Sequence, residues 1–159
     1  MVLLRSRKHQ YDDRGRDTPL LEAIRGVYHG EDTQIVFVDT PGIHKPVTLL
    51  GERVNAVALD SMSDVEVVCL VIDATKPFGR GDQWVANNVD MSDAFVVINK
   101  IDRAKPETVL EQLKAVSALG AREYFPVSAS TGEGLDVLLA ALLERMPEGP
   151  AYYPEEMVS

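Results

Sequence analysis

The apolar positions of this chain follow two different spacings. Ala94-Phe95-Val96-Val97-Ile98 is an unbroken apolar run of strand length, the pattern of a strand buried on both faces of a parallel sheet. Val65 to Ile72 reads the same way and ends at Asp73. Tyr124-Phe125-Pro126-Val127 is a shorter version and leads into Ser128-Ala129-Ser130. Between these runs the spacing lengthens to that of helices. Thr48 to about Ser61 predicts a helix with Leu50, Val54, Val57 and Ala58 on one face. Asp82 can cap a short helix carrying Trp84, Val85 and Val89. Pro106 suits the first turn of a helix bearing Val109, Leu110, Leu113 and Val116, which Gly120 closes. Leu135, Leu138, Leu139, Leu142, Leu143 and Met146 mark the last helix. Nearer the start, Ile24 to His29 and Gln34 to Val38 alternate around Gly30-Glu31-Asp32, which predicts an antiparallel hairpin. Strands alternating with helices predict an α/β fold, a parallel sheet with helices on both faces. Residues 1–23 show no sustained period and read as poorly ordered; Pro147-Glu148-Gly149-Pro150 ends the last helix, and residues 148–159 read as a linker and tail.

Composition narrows the class without naming a chemistry. With 159 residues, 45% apolar and 26% charged, the chain is long enough for one domain with a core. No apolar run reaches the length of a bilayer span, and no signal peptide is visible, so a cytoplasmic location is expected. The single cysteine, Cys69, falls inside an apolar strand and reads as a small buried hydrophobe in a reducing compartment. The net charge of -9 is uneven. Residues 1–25 hold six bases against four acids, and the rest ten against twenty-one. That acidic body argues against broad electrostatic binding of nucleic acid. The basic start either touches nucleic acid or is a solvated arm.

Three candidate sites end three separate strands. In a parallel sheet those ends share one edge, so the sites can converge there. Asn99-Lys100-Ile101-Asp102 has the spacing of the guanine-reading motif Asn-Lys-x-Asp, although it also suits a bland strand-to-loop turn. An ionised Asp102 can accept from N1–H and from the exocyclic amine of guanine, a donor pair that adenine lacks. The Lys100 stem can lie along a flat base, and the Asn99 amide can tie neighbouring loops. Asp39-Thr40-Pro41-Gly42 ends the second strand of the hairpin. Asp39 can hold a magnesium ion through water, and Gly42, lacking a Cβ, lets its amide approach a terminal phosphate. In Ser128-Ala129-Ser130, the backbone amides of Ser128 and Ala129 can meet the guanine carbonyl oxygen.

From about Ile24 to Val158 the sequence resembles the Era-type GTPases, within the larger group of P-loop GTPases. The resemblance is carried by Ile24-Arg25-Gly26, Val38-Asp39-Thr40-Pro41-Gly42-Ile43-His44-Lys45-Pro46, Leu50-Gly51-Glu52-Arg53, Asn99-Lys100-Ile101-Asp102, Pro126-Val127-Ser128-Ala129 and Pro147-Glu148-Gly149-Pro150. It implies a P-loop NTPase-like three-layer G domain over 24–147. It also implies GTP and GDP as ligands with magnesium, slow GTP hydrolysis, contact with 16S ribosomal RNA and a part in maturation of the small ribosomal subunit.

The chain departs from that pattern in two ways that bear on chemistry. It contains no Gly-x-x-x-x-Gly-Lys-[Ser/Thr], so the amides and lysine that cradle the phosphates are missing, with the first strand and helix around them. The KH domain that the family uses for RNA, expected after Ser159, is read as missing from this sequence. The G domain is therefore expected to be incomplete and impaired in hydrolysis. Ile43 stands where many GTPases orient water with Gln, and no catalytic residue is assigned. Three readings stay open: a GTPase of ribosome assembly, a degenerate G domain acting as a non-catalytic interaction module, and a truncated gene product.

Overall fold

The computed structural model describes residues 2–5, 24–30, 33–39 and 65–147. The helix expected over 48–61, the residues Thr40, Pro41 and Gly42, and the tail over 148–159 lie outside the described residues. Six strands form one sheet: β1 (Val2–Arg5), β2 (Ile24–His29), β3 (Gln34–Asp39), β4 (Val67–Asp73), β5 (Phe95–Asn99) and β6 (Glu123–Pro126). Their order is β2-β3-β1-β4-β5-β6. Three helices complete the described fold: α1 (Arg80–Ala86), α2 (Pro106–Ser117) and α3 (Leu135–Glu144).

The apolar runs become strands because both of their faces are covered. On β4 and β5, Leu70, Ile72, Val96 and Ile98 face one cluster, joined by Val85 and Ala86 of α1 and Val116 of α2. Val67, Cys69, Phe95 and Val97 face the other, joined by Phe125 and by Leu142 of α3. Alternate residues of one strand thus enter opposite layers, as the two-residue period of a strand requires. Phe95 and Phe125 lie tilted with ring centroids 5.1 Å apart. Cys69 is buried and unbridged, as its place in the pattern implied, and burial pushes its thiol up to about 12, against a smaller downward pull from the amino terminus. The thiolate needed for nucleophilic chemistry is thereby withheld.

Asp82 does cap α1, but from inside the helix. Its carboxylate accepts the N–H of Gly79, the N-cap residue, at 2.9 Å. This is the reciprocal half of a capping box, reaching back from the third helical position. Pro106 opens α2 at its first residue as expected.

The sheet corrects the expectation of a poorly ordered start at Val2–Arg5. These residues pair antiparallel with β3, Leu3 opposite Val38, and antiparallel with β4, Leu3 opposite Val68. Being antiparallel to both, β1 requires β3 and β4 to run the same way. Without a strand between them, each would turn a row of unpaired backbone groups into the sheet, at about 1–3 kcal/mol per buried group. Val2-Leu3-Leu4 satisfies both rows at once. Three apolar residues are too few to register as a period, so sheet context decides.

The directions of the strands also fix where ligands can meet the fold. β4, β5 and β6 are parallel, with Asp73 opposite Asn99 and Ile98 opposite Pro126. The carboxyl ends of β3, β4, β5 and β6 therefore share one edge. At that edge β1 presents its amino end, since Val2 lies opposite both Asp39 and Cys69.

One buried side chain ties the helical layer to the connection after β4. Gln112 of α2 accepts the N–H of Phe78 at 3.1 Å and donates to the carbonyl of Lys76. Leu at position 112 keeps the volume and removes both bonds. Gln112→Leu is expected to lower stability by about 1–3 kcal/mol, read as a shift in the urea midpoint.

Candidate functional site

The site is built where β4, β5 and β6 end. β5 closes with Asn99, and the chain then turns through Lys100 in the left-handed region, φ 71 and ψ 35. Lys100 is the sole non-glycine residue with positive φ among the described residues. The turn is held from both sides: Lys100 N–H donates to Asn99 Oδ1 at 2.7 Å, and Ile101 N–H donates to the carbonyl of Val127 at 3.2 Å. A single 3-10 turn, Ile101–Arg103, follows and carries Asp102 outward.

Asn99 joins the two loops that flank the edge. Its Oδ1 also accepts the N–H of Ala129, at 3.0 Å, and so ties the end of β5 to the loop after β6. Ser128, fully buried, makes the second tie. Its hydroxyl donates to Asp102 Oδ1 at 2.6 Å and accepts the N–H of Thr131 at 3.2 Å. One carboxylate oxygen of Asp102 is thus fixed from within the fold. Among the described residues the other oxygen has no partner, and Asp102 itself is exposed. A carboxylate held at one oxygen and open at the other is oriented to accept from a ligand's N–H groups.

The two amides singled out in the sequence are already engaged. Ser128 N–H donates to the carbonyl of Glu133 at 2.9 Å, and Ala129 N–H to Asn99 as above. A ligand carbonyl could reach Ala129 only by sharing its hydrogen. The next N–H, that of Ser130, has no partner among the described residues. The sequence reading placed Ser130 in the candidate stretch but gave its N–H no role, its only signal being its place directly after Ala129.

Asp73 was read in the sequence only as the end of a strand. Its Oδ2 accepts from Lys100 Nζ at 2.7 Å. Its Oδ1 accepts from the hydroxyl of Thr75 at 2.6 Å and from the Thr75 N–H at 2.9 Å. The bond from Lys100, with those from Thr75, holds the Asp73 carboxyl well below the usual carboxylate range. A carboxyl whose folded pKa lies below its unfolded value stabilises the fold fully above that unfolded value, about 4. That contribution is lost as pH falls through the folded value. Asp73→Asn is therefore expected to flatten the fall in melting temperature on acidification from about pH 5 to about pH 2, measured against the native chain.

Asp39 is the last residue of β3, which sets it on the same edge as Asp73 and Asn99. Among the described residues no group of three or more His, Cys, Asp or Glu side chains gathers to hold a metal ion. Among them, too, no helix is long and apolar enough to cross a membrane.

Comparisons with known proteins bear on the family and the fold. Residues 21–148 match the family described as the elongation factor Tu GTP binding domain. The chain is 41% identical to GTPase Era of Corynebacterium diphtheriae over 142 residues, covering 86% of this chain and 47% of the relative. It is 44% identical to GTPase Era of Mycolicibacterium smegmatis over 138 residues, 83% of this chain and 46% of the relative. The chain spans about half the length of the curated relatives it matches. Among solved structures, Era in complex with MgGDPNP and part of 16S ribosomal RNA superposes with a TM-score of 0.74 at 33% identity, over 84% of this chain and 47% of that one. Aquifex aeolicus Era bound to GDP and aluminium fluoride gives 0.69 at 32% identity, over 82% and 46%. The cytosolic domain of the Thermotoga maritima FeoB iron transporter shares the fold, with a TM-score of 0.57 at 20% identity. With that match over residues 21–148 and the Era structures superposing on its sheet and helices, the chain belongs to the elongation factor Tu GTP binding domain family, and the relatives it resembles at over 40% identity within it are Era GTPases.

Proposed function

We propose that this chain is a guanine-nucleotide-binding G domain, over residues 24–147, that takes GTP and GDP. The observation that carries the reading is the Asp102 carboxylate, fixed at Oδ1 by buried Ser128 and open at Oδ2. Guanine presents N1–H and its 2-amino group to that carboxylate. In this reading the Ser130 N–H, which has no partner among the described residues, meets the carbonyl oxygen, and the Lys100 stem meets the face of the base. Asn99 keeps the two loops in register while this happens. Magnesium is held in this reading by Asp39 through water and by phosphate oxygens, since Mg²⁺ needs few protein carboxylates. Thr40, Pro41 and Gly42, which follow Asp39 in the motif, are assigned to the phosphates from the sequence alone.

Hydrolysis is impaired in this reading, and the direction of β1 supports that. A loop that cradles phosphates from the centre of the sheet has to leave a strand at its carboxyl end, on the site edge. β1 has its amino end there, and Arg5 lies at the other end of the strand. Phosphoryl transfer depends mainly on positioning and charge stabilisation, so a missing cradle removes most of the catalysis. Contact with 16S ribosomal RNA, which a solved Era complex contains, and the role in small-subunit maturation that the family resemblance implies are proposed for this chain on that likeness alone. The same β1 observation favours a second reading, a non-catalytic interaction module that binds guanine nucleotide without turnover.

Equilibrium titration of the purified chain with GDP and ADP, with magnesium present, tests the reading. At least a tenfold preference for GDP is expected, because each hydrogen bond to a charged group contributes roughly 1.5–3 kcal/mol. Equal affinity for the two would sink it. No phosphate release from GTP above background is expected; magnesium-dependent release that Asp39→Asn abolishes would overturn the impaired-hydrolysis part alone.

A further inference from the structure

We propose that Asp73 is a positioning residue of the guanine slot, anchoring the Lys100 ammonium so that the Lys100 stem stands as a fixed wall beside Asp102. The inference rests on the guanine reading above and adds a residue to it. Three features point the same way. Asp73 is itself immobilised, because Thr75 occupies Oδ1 through both its hydroxyl and its N–H, and this leaves Oδ2 directed at Lys100 Nζ, 2.7 Å away. Of the two partners Asp73 is the less exposed, 21% against 45%, so the carboxylate is the anchor and the lysine the anchored group. The Lys100 backbone is held in a conformation that L residues rarely adopt, by the bond from its N–H to Asn99 Oδ1.

Strand order gives the pair its meaning. Asp73 ends β4, on one side of β5, and Ser128 follows β6, on the other. Lys100 is therefore drawn toward β4 while Asp102 is held toward the β6 loop. A flat base lying edge-on to Asp102 meets the lysine stem on its face. A free lysine would lose its rotamer freedom when the base arrives; an anchored one has lost it already, and binding is tighter by that amount.

Asp73→Asn is a discriminating variant, because its amide oxygen can keep the Thr75 bonds while its NH₂ group opposes Lys100. Lys100→Met keeps an apolar stem and removes the ammonium. Binding of GDP with magnesium is measured for the native chain, both single variants and the double variant. Asp73→Asn is expected to weaken GDP about three- to tenfold. In the Lys100→Met background the same change is expected to do nothing further, and the preference for guanine over xanthine is expected to stay as in the native chain. A second readout needs no ligand. The Lys100 ¹⁵Nζ ammonium resonance is expected to be sharp and slow to exchange in the native chain and lost in Asp73→Asn. Equal losses in both backgrounds, or an ammonium resonance indifferent to Asp73→Asn, would overturn the proposal and leave the guanine reading standing. No guanine preference in the native chain would overturn both.

Discussion

Asp102→Asn is expected to turn a preference for guanine into one for xanthine. The structure shows why the substitution is local. Ser128 donates its hydroxyl to Asp102 Oδ1 at 2.6 Å, and the amide oxygen of asparagine can accept that same bond. The interior tie survives, and the atom that changes is the outward one, Oδ2, from acceptor to donor. Guanine offers two donors at this edge, N1–H and the 2-amino group, so one of them now faces an NH₂ group. Xanthine keeps N1–H but carries a carbonyl oxygen at position 2, which that NH₂ group can satisfy. A hydrogen bond to a charged group is worth roughly 1.5–3 kcal/mol, so affinity for guanine nucleotides should fall at least about tenfold. Titration of native chain and variant with GDP and xanthosine diphosphate reads the switch. An unchanged preference in the variant would mean that Asp102 is a turn residue and that the spacing of Asn99, Lys100 and Asp102 has no bearing on bases.

What could be read from the sequence was whatever a period or a local rule encodes. β4 and β5 were legible because both faces of each are buried, so nearly every residue is apolar. The cap on α1 was legible as a residue type, and Asp82 does supply it, but from the third helical position and not the first. What escaped was decided through space. Val2–Arg5 became a strand because β3 and β4 each had a ladder edge to satisfy, a demand that appears nowhere in those four residues. The amides of Ser128 and Ala129 looked available in the sequence because the groups that occupy them, the Glu133 carbonyl and the Asn99 side chain, come from elsewhere in the fold. Asp73 read as a strand end until parallel pairing set it opposite Asn99, within reach of Lys100. A signal for it existed: two parallel strands ending in polar residues at the same level place those residues side by side.

Gly134→Ala is expected to cost more stability than any other single methyl group added near the site. Gly134 is the N-cap of α3, with φ +73, where an L residue is strained by about 1–2 kcal/mol. The strain is the smaller part. A Cβ here would stand 2.5 Å from the backbone carbonyl oxygen of Pro126 and 3.4 Å from Val127 Cγ1. The near atom is backbone, at the end of β6, and cannot swing aside as a side chain could. Either α3 or the end of β6 has to move, and forced shifts of that kind typically cost about 1–3 kcal/mol more. A total of about 2–5 kcal/mol is a large share of a native margin of about 5–15 kcal/mol. Gly132→Ala is the control, since Gly132 has φ +87 but nothing within 4 Å of its would-be Cβ, and it should show the strain alone. The displaced residues lead directly into Ser128, whose hydroxyl orients Asp102, so a folded Gly134→Ala chain should also lose guanine over adenine selectivity. Urea midpoints and GDP titrations of the two variants separate these effects. Equal destabilisation by both substitutions would show that the approach of α3 to the Pro126 carbonyl places no demand on residue 134. Full selectivity retained in Gly134→Ala would show that the Ser128–Asp102 bond is set independently of the start of α3.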